Sequence, residues 1–112
     1  MNWAALIVAV AQIESGGDHS AFNAKEGAVG ELQVRQCVLD DVNRFYHMKI
    51  AMADVRKHRT VARLVFTLYV RMYGAETYEQ AARIWNGGPR GMKKQTTLGY
   101  WLRVKNQLKG AA

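Results

Sequence analysis

Glu14 is the carboxylate whose position in the sequence most favours acid chemistry. Trp3, Ile7 and Val10 precede it at i−11, i−7 and i−4, so the four side chains share one face of a helix. Burial beside hydrocarbon and the partial negative charge at a helix C-terminus both disfavour the carboxylate anion. We therefore expect a raised pKa for Glu14, which suits a general acid that works near neutral pH.

The element that must position Glu14 is a helix over residues 3–15, which is apolar on nearly every side and should be central in the fold. The glycines of the following SGGDHS segment end this helix, because they give the backbone a freedom that helices do not use. Periodicity predicts further helices over residues 34–46, from near residue 54 or 59 to 73, and over 96–109. Thr77 and Gln80 have capping-box spacing, which predicts that another helix begins there and ends at residues 87–89.

Apolar spacing also predicts which side chains of these helices face the core. The inward residues are expected to be Val34, Val38, Val42 and Phe45, then Val61, Leu64, Val65, Leu68 and Met72, and finally Trp101, Val104 and Leu108. No useful segment alternates with period 2, apart from a short hairpin expected within residues 20–33. The fold class is therefore mainly α with at most a minimal β-hairpin, and 112 residues predict a single domain over 1–112.

Three short motifs carry a family resemblance: IESGG, then GAVGELQV, then AARIWNGGP. In this order they resemble the successive motifs of the lytic transglycosylase and goose-type lysozyme family. In that family a Glu-Ser pair ends a buried helix, a Gly-x-x-Gln turn follows, and an Ala-x-x-[aromatic]-Asn-x-Gly helix end comes later. TLGYWLRV resembles the closing helix of small phage-encoded members. The resemblance covers residues 5–34 and 81–89, and residues 40–79 match only in helical character. It implies a compact lysozyme-like domain that cleaves peptidoglycan glycan strands.

The first two motifs assign roles through this resemblance. Glu14 would be the catalytic acid and then the base, and Ser15 would hydrogen-bond near it or near the substrate. Gly30 would allow a close backbone approach beside the cleft. Gln33 would bind sugar or hold the glutamate.

The later motifs supply the other substrate-binding candidates. Asn86 would contact amide or sugar groups of the substrate. Trp85 stands where the family usually has tyrosine, so it keeps an aromatic platform but lacks the hydroxyl that typically touches the acid. Its helical spacing with Tyr78 also fits a place in the core. Tyr100 is the last substrate-binding candidate; it and Trp101 are both expected near the cleft, with one of the two in the core.

The number of carboxylates decides the reaction, because glycosidic hydrolysis normally uses two. Glu26 and Glu31 are the only plausible second acids, and Glu31 is expected at the exposed edge of the cleft. Goose-type hydrolases carry a carboxylate directly after the Gln-Val pair, where this chain has Arg35. The resemblance therefore favours the transglycosylase, in which Glu14 alone serves and a 1,6-anhydro end forms. A hydrolase that uses water is the alternative.

A net charge of +7 suits a polyanionic partner, either cell-wall polymer or nucleic acid. The cations expected to hold the wall are Arg56, Arg59, Lys93, Lys94 and Lys105. Because the basic residues are spread over most of the chain, a helical nucleic-acid-binding module is the less favoured alternative, as is a catalytically inactive wall-binding module. No specific nucleic acid is expected as a partner, and the protein is expected to be a monomer.

Metal, cofactor and membrane roles are not expected. His19, Cys37, His47 and His58 lack metal-ligand spacing, and Cys37 is expected to be buried beside Val38. The apolar run of residues 3–10 is far shorter than the roughly 20 residues that span a bilayer. Since no basic region or A-x-A-like pattern accompanies it, we expect no signal peptide in this chain. Action on the bacterial wall would then be periplasmic or delivered by a virion.

Overall fold

Helices dominate the part of the chain that the computed structural model describes, residues 1–110. The elements in this part are α1 (Ala4–Ser15), β1 (Phe22–Asn23), β2 (Ala28–Val29), α2 (Gln36–Tyr46), α3 (Met52–Lys57), α4 (Arg59–Met72), α5 (Tyr78–Gly87), a 3₁₀ turn (Gly91–Lys93) and α6 (Thr96–Gly110). The mainly α fold class with a minimal hairpin is confirmed. Within the same residues, no helix is long and apolar enough to cross a membrane.

Helix α1 buries one face, which includes Leu6, Ile7 and Val10, and packs against α5 and α6. The opposite side of α1 faces solvent, as the exposed side chain of Val8 shows. The predicted central position is therefore correct for one face only. The helix ends as predicted at Gly16, which has a φ of 68° and donates its N–H to the helix carbonyls.

The predicted third helix begins at residue 59, the later of its two predicted starts, because His58 adopts an extended conformation that separates α4 from the short helix α3. The buried face of α4 also differs from the prediction, and Leu64 is exposed. Its buried residues are Ala62, Val65, Phe66, Tyr69 and Val70. The Phe66 ring packs 4.9 Å from that of Trp85, so aromatic packing decides which face turns inward. Phe45 of α2 was wrongly predicted to be buried and is exposed.

The predicted capping box at the start of α5 is confirmed. Thr77 Oγ1 accepts the Gln80 N–H at 3.1 Å, and Gln80 Oε1 accepts the Thr77 N–H at 3.2 Å. Helix α6 packs against both α1 and α5 and buries Val104, while Trp101 and Leu108 are partly buried. Tyr100 lies on the inward side of α6 and so reaches the end of α1.

The predicted hairpin pairs Phe22 with Val29 and Asn23 with Ala28, in an antiparallel arrangement. An isolated bridge between Val29 and Val34 closes the turn that follows. This turn contains Gly30 and Gln33, so the hairpin carries the second sequence motif toward the end of α1.

Candidate active site

An open cleft of about 190 Å³ lies where the end of α1, the hairpin segment, the start of α2 and the end of α5 meet. Its lining residues are Glu14, Glu26, Gln33, Arg35, Val38, Trp85 and Asn86. The fold thus brings together the acid of the first motif, the glutamine of the second and the Trp-Asn pair of the third.

The carboxyl group of Glu14 is held by a hydrogen bond from a distant helix. Tyr100 Oη donates to Glu14 Oε2 at 2.8 Å. Burial raises the pKa of Glu14, and the negative charge of Glu26 adds to this effect. The Tyr100 hydrogen bond and the positive charge of Arg35 act in the opposite direction, but burial is the largest effect. The pKa is therefore raised, which is the direction predicted from the sequence.

Tyr100 remains a hydrogen-bond donor because its phenol keeps its proton. The residue is 4% exposed, and burial raises the pKa of the Tyr100 phenol well above its usual range. The adjacent Glu14 carboxylate raises it further. Tyr100, predicted to bind substrate, is not among the residues that line the cleft; it contacts Glu14 from α6 instead, with a hydroxyl that Trp85 lacks. The sequence signal for this contact is weak: Tyr100 shares an inward face with Val104 at i+4.

Trp85 lies mainly in the core. Its indole N–H donates to the Leu32 carbonyl at 3.2 Å, and its ring packs against Phe66 and Tyr69. The residue is only 4% exposed, which leaves no open ring face for a sugar to stack on. Trp85 lines the cleft and holds the turn before Gln33, whereas the resemblance implied an aromatic platform.

Gln33 both lines the cleft and stabilises its own turn. Its φ is 55°, and its side-chain amide donates to the Gly30 carbonyl at 2.9 Å. Gly30 has a φ of 80°, and a Cβ placed there would lie 2.8 Å from His19 Cε1. The close approach that Gly30 permits is therefore to the His19 ring, not to the cleft.

Ser15 and Asn86 have different surroundings. The Ser15 hydroxyl donates to the Glu31 carbonyl at 2.8 Å and accepts the Asp18 N–H, so it ties the end of α1 to the hairpin segment. It is not among the residues that line the cleft. Asn86 is exposed and lines the cleft, so its side-chain amide is free to form hydrogen bonds there.

The prediction that Glu31 lies at an exposed cleft edge is wrong, because its side chain is 2% exposed. Arg63 Nε lies 2.7 Å from Glu31 Oε1, and Arg59 Nε lies 3.0 Å from Glu31 Oε2. These two cations of α4 make burial of the carboxylate possible, and they hold it away from the cleft. Glu26 is therefore the carboxylate that shares the cleft with Glu14. Arg59 is also engaged in this ion pair, although the sequence suggested that it holds the wall.

Cys37 is exposed, and its predicted burial is wrong. Among residues 1–110, no three His, Cys, Asp or Glu side chains are grouped so that they could hold a metal ion.

No protein-family model matches the chain, and no curated protein matches it.

Proposed function

We propose that the protein cleaves the β-1,4 bond between N-acetylmuramic acid and N-acetylglucosamine in peptidoglycan, as a lytic transglycosylase. The observation that carries the proposal is the partly buried Glu14 carboxyl at a cleft, fixed by the Tyr100 hydroxyl at 2.8 Å. A carboxyl with a raised pKa retains a proton that it can give to a departing sugar oxygen.

In the first half of the reaction, Glu14 donates its proton to the O4 atom of the departing N-acetylglucosamine. The bond between this oxygen and C1 of the muramic residue breaks, and positive charge develops at C1. The Glu14 carboxylate that results stays beside the cation. Tyr100 Oη, still protonated, continues to donate to it and fixes its orientation.

In the second half, the Glu14 carboxylate takes the proton from the 6-hydroxyl of the same muramic residue. O6 then bonds to C1 and forms a 1,6-anhydro ring, so no water is consumed. The tethered hydroxyl has the advantage of proximity over a free water molecule. Asn86 and Gln33, which line the same cleft, would bind the sugar's amide and hydroxyl groups.

A goose-type hydrolase is the second candidate, and the position of Glu26 favours it. Glu26 lines the cleft with Glu14, and its charge acts on the pKa of Glu14. A second carboxylate in this place could activate a water molecule for attack at C1. In that case water replaces the 6-hydroxyl and the product has an ordinary reducing end.

Digestion of purified peptidoglycan tests both candidates. We expect wild-type protein to release fragments, and Glu14→Gln to lose roughly 10²- to 10⁴-fold in rate because the proton donor is gone. Glu76→Gln, a change at an exposed carboxylate, is the matched control and should retain the rate. Near-normal cleavage by Glu14→Gln would show that Glu14 is not the acid.

Mass analysis of the products separates the transglycosylase from the hydrolase. Anhydro fragments are one water lighter than hydrolysed ones and resist borohydride, because they have no reducing end. Reducible fragments of full mass, lost in Glu26→Gln, would establish the hydrolase. Tight, sequence-selective DNA binding without any cleavage would instead favour the nucleic-acid-binding module, and its affinity should fall steeply with salt.

A further inference from the structure

Arg35 is a cation in the cleft to which the proposed reaction gives no role. It precedes α2 with an extended backbone, between the buried residues Val34 and Val38. Its side chain is half-buried and lines the cleft with Glu14 and Asn86. Arg35 thus lines the space that the substrate would fill, and its positive charge is close enough to Glu14 to lower the pKa of that carboxyl.

Among residues 1–110, Arg35 forms no ion pair. The arginines that do pair with a carboxylate within 4.0 Å are Arg44, Arg59, Arg63 and Arg83. Glu26 shares the cleft with Arg35 but is beyond ion-pair distance in the same set. Arg35 therefore keeps a planar set of N–H donors that matches a carboxylate in a two-pronged arrangement.

We infer that Arg35 binds a carboxylate of the substrate, namely the free lactyl carboxylate of a muramic residue that carries no peptide. This inference rests on the proposed function. Sugar hydroxyls and acetamido groups are neutral, so the lactyl group is the acidic group of a bare glycan strand. It belongs to the same sugar whose C1 is attacked, which places it close to Glu14. The cleft would thus select strands from which the stem peptide has been removed.

The electrostatics of the cleft agree with this role. Burial raises the pKa of Glu14, whereas the positive charge of Arg35 lowers it. A substrate carboxylate bound to Arg35 would neutralise that charge and weaken its effect on Glu14. The acid would then hold its proton more firmly when the correct substrate is in place, so Arg35 would couple substrate choice to the protonation of the acid.

Cleavage rates on paired substrates test the inference. One substrate is peptide-free glycan strands, and the other is the same strands with their lactyl carboxylates converted to methylamides. We expect wild-type protein to prefer the free carboxylate by roughly tenfold to a hundredfold in kcat/KM, as for loss of a charged hydrogen-bonded pair. Arg35→Gln should lose this preference, and Arg35→Lys should retain part of it.

Lys49→Gln is the matched control, because Lys49 is an exposed cation in the loop between α2 and α3. It should retain the full preference. An equal preference in wild type and Arg35→Gln would overturn the inference while leaving the proposed function in place. Equal rates of wild-type protein on the two substrates would also overturn it, since the free lactyl carboxylate would then not be recognised.

A binding measurement keeps the inference testable even if no strand is cleaved. N-acetylmuramic acid and its methyl ester can be titrated into wild-type protein and Arg35→Gln, and followed by amide NMR shifts. We expect shifts around Arg35 with the free acid only, and only in wild-type protein. Identical titrations of the two proteins would overturn the inference, whereas absence of cleavage with selective binding would count against the proposed function alone.

Discussion

Tyr100 Oη donates a hydrogen bond to Glu14 Oε2 across 2.8 Å and so joins the last helix to the first. The two residues are far apart in the sequence, and the contact depends on α6 packing against α1. Tyr100 is buried and Glu14 is partly buried, so the bond is stronger than a surface contact. The hydroxyl has two effects on the acid: it fixes the direction of the carboxyl and stabilises its anion.

The first prediction concerns Tyr100→Phe. Loss of the hydroxyl removes a donor that stabilises the Glu14 anion, so the pKa of Glu14 should rise further. In the proposed reaction Glu14 must be protonated to act, so the alkaline limb of the pH–rate profile should move to higher pH. The maximal rate should fall roughly tenfold to a hundredfold because the carboxyl is less well oriented. The measurement is kcat/KM on peptidoglycan against pH.

The control for this experiment is Tyr78→Phe, because the Tyr78 hydroxyl donates to the Asn2 carbonyl and is not among the cleft residues. That variant should keep the wild-type pH profile. An alkaline limb that does not move in Tyr100→Phe would show that the hydrogen bond does not control the protonation of Glu14.

The second prediction concerns the stability of Glu14→Gln. The folded-state pKa of Glu14 is raised by burial, so above the ordinary carboxyl pKa of 4.5 the unfolded chain binds fewer protons at this site than the folded chain does. Glu14 therefore lowers stability as the pH rises from the unfolded pKa through the folded pKa, and the full penalty is present above both. Glutamine has no such penalty. The melting temperature of Glu14→Gln relative to wild type should thus increase from pH 4 to pH 8.

Thermal unfolding followed by circular dichroism at several pH values checks this prediction. Glu76→Gln serves again as the control, because it makes the same substitution at an exposed carboxylate. A Glu14→Gln variant that loses stability relative to wild type as the pH rises would contradict a raised pKa for Glu14.

The sequence was sufficient for features that depend on local chemistry. The capping box of Thr77 and the end of α1 at Gly16 were predictable because each follows from neighbouring residues. The position of Glu14 was also predictable, since its helical spacing places it on the apolar face. These features require no knowledge of how the helices pack together.

The features that the sequence did not predict depend on long-range packing. Glu31 was wrongly predicted to lie at the exposed edge of the cleft. It is buried because Arg59 and Arg63 pair with it from α4, and nothing near Glu31 in the sequence indicates these two partners. The Tyr100 contact with Glu14 was missed for the same reason. The buried face of α4 was predicted incorrectly. Its aromatic residues Phe66 and Tyr69 pack against Trp85, and this turns Leu64 to the exposed side of the helix.

The third prediction concerns the ion pairs of Glu31. The double variant Arg59→Gln/Arg63→Gln leaves a buried carboxylate without a cation, which typically costs about 3–5 kcal/mol for a fully buried pair. Both arginines are partly exposed, so we expect the lower end of that range. The triple variant with Glu31→Gln should recover stability relative to the double variant, because it removes the unpaired charge.

Urea unfolding at pH 7 gives the free energies of unfolding for this series. Glu31→Gln alone should be less costly than the double arginine variant, because the arginines can reach water when the carboxylate is gone. If the triple variant is no more stable than the double variant, the charge of Glu31 is not what the two arginines compensate.

The fourth prediction concerns Gly30→Ala, which changes the turn that carries Gln33. Gly30 has a φ of 80°, and the left-handed conformation costs an alanine about 1–2 kcal/mol. The new Cβ would also lie 2.8 Å from His19 Cε1, so the ring must move. The His19 Nδ1 that accepts the Glu31 N–H would move with it. We therefore expect a loss of stability and, because Gln33 is displaced at the cleft, a loss of activity.

Gly74→Ala is a matched control for this substitution. Gly74 has a φ of 79° but no neighbour within 4 Å of an added Cβ, so it reports the backbone cost alone. The excess loss of stability in Gly30→Ala over Gly74→Ala therefore measures the clash with His19, and His19→Ala combined with Gly30→Ala should reduce it. Gly74→Ala should cleave peptidoglycan normally. Equal stability and equal activity of the two glycine variants would show that contact with His19 does not hold the turn beside the cleft.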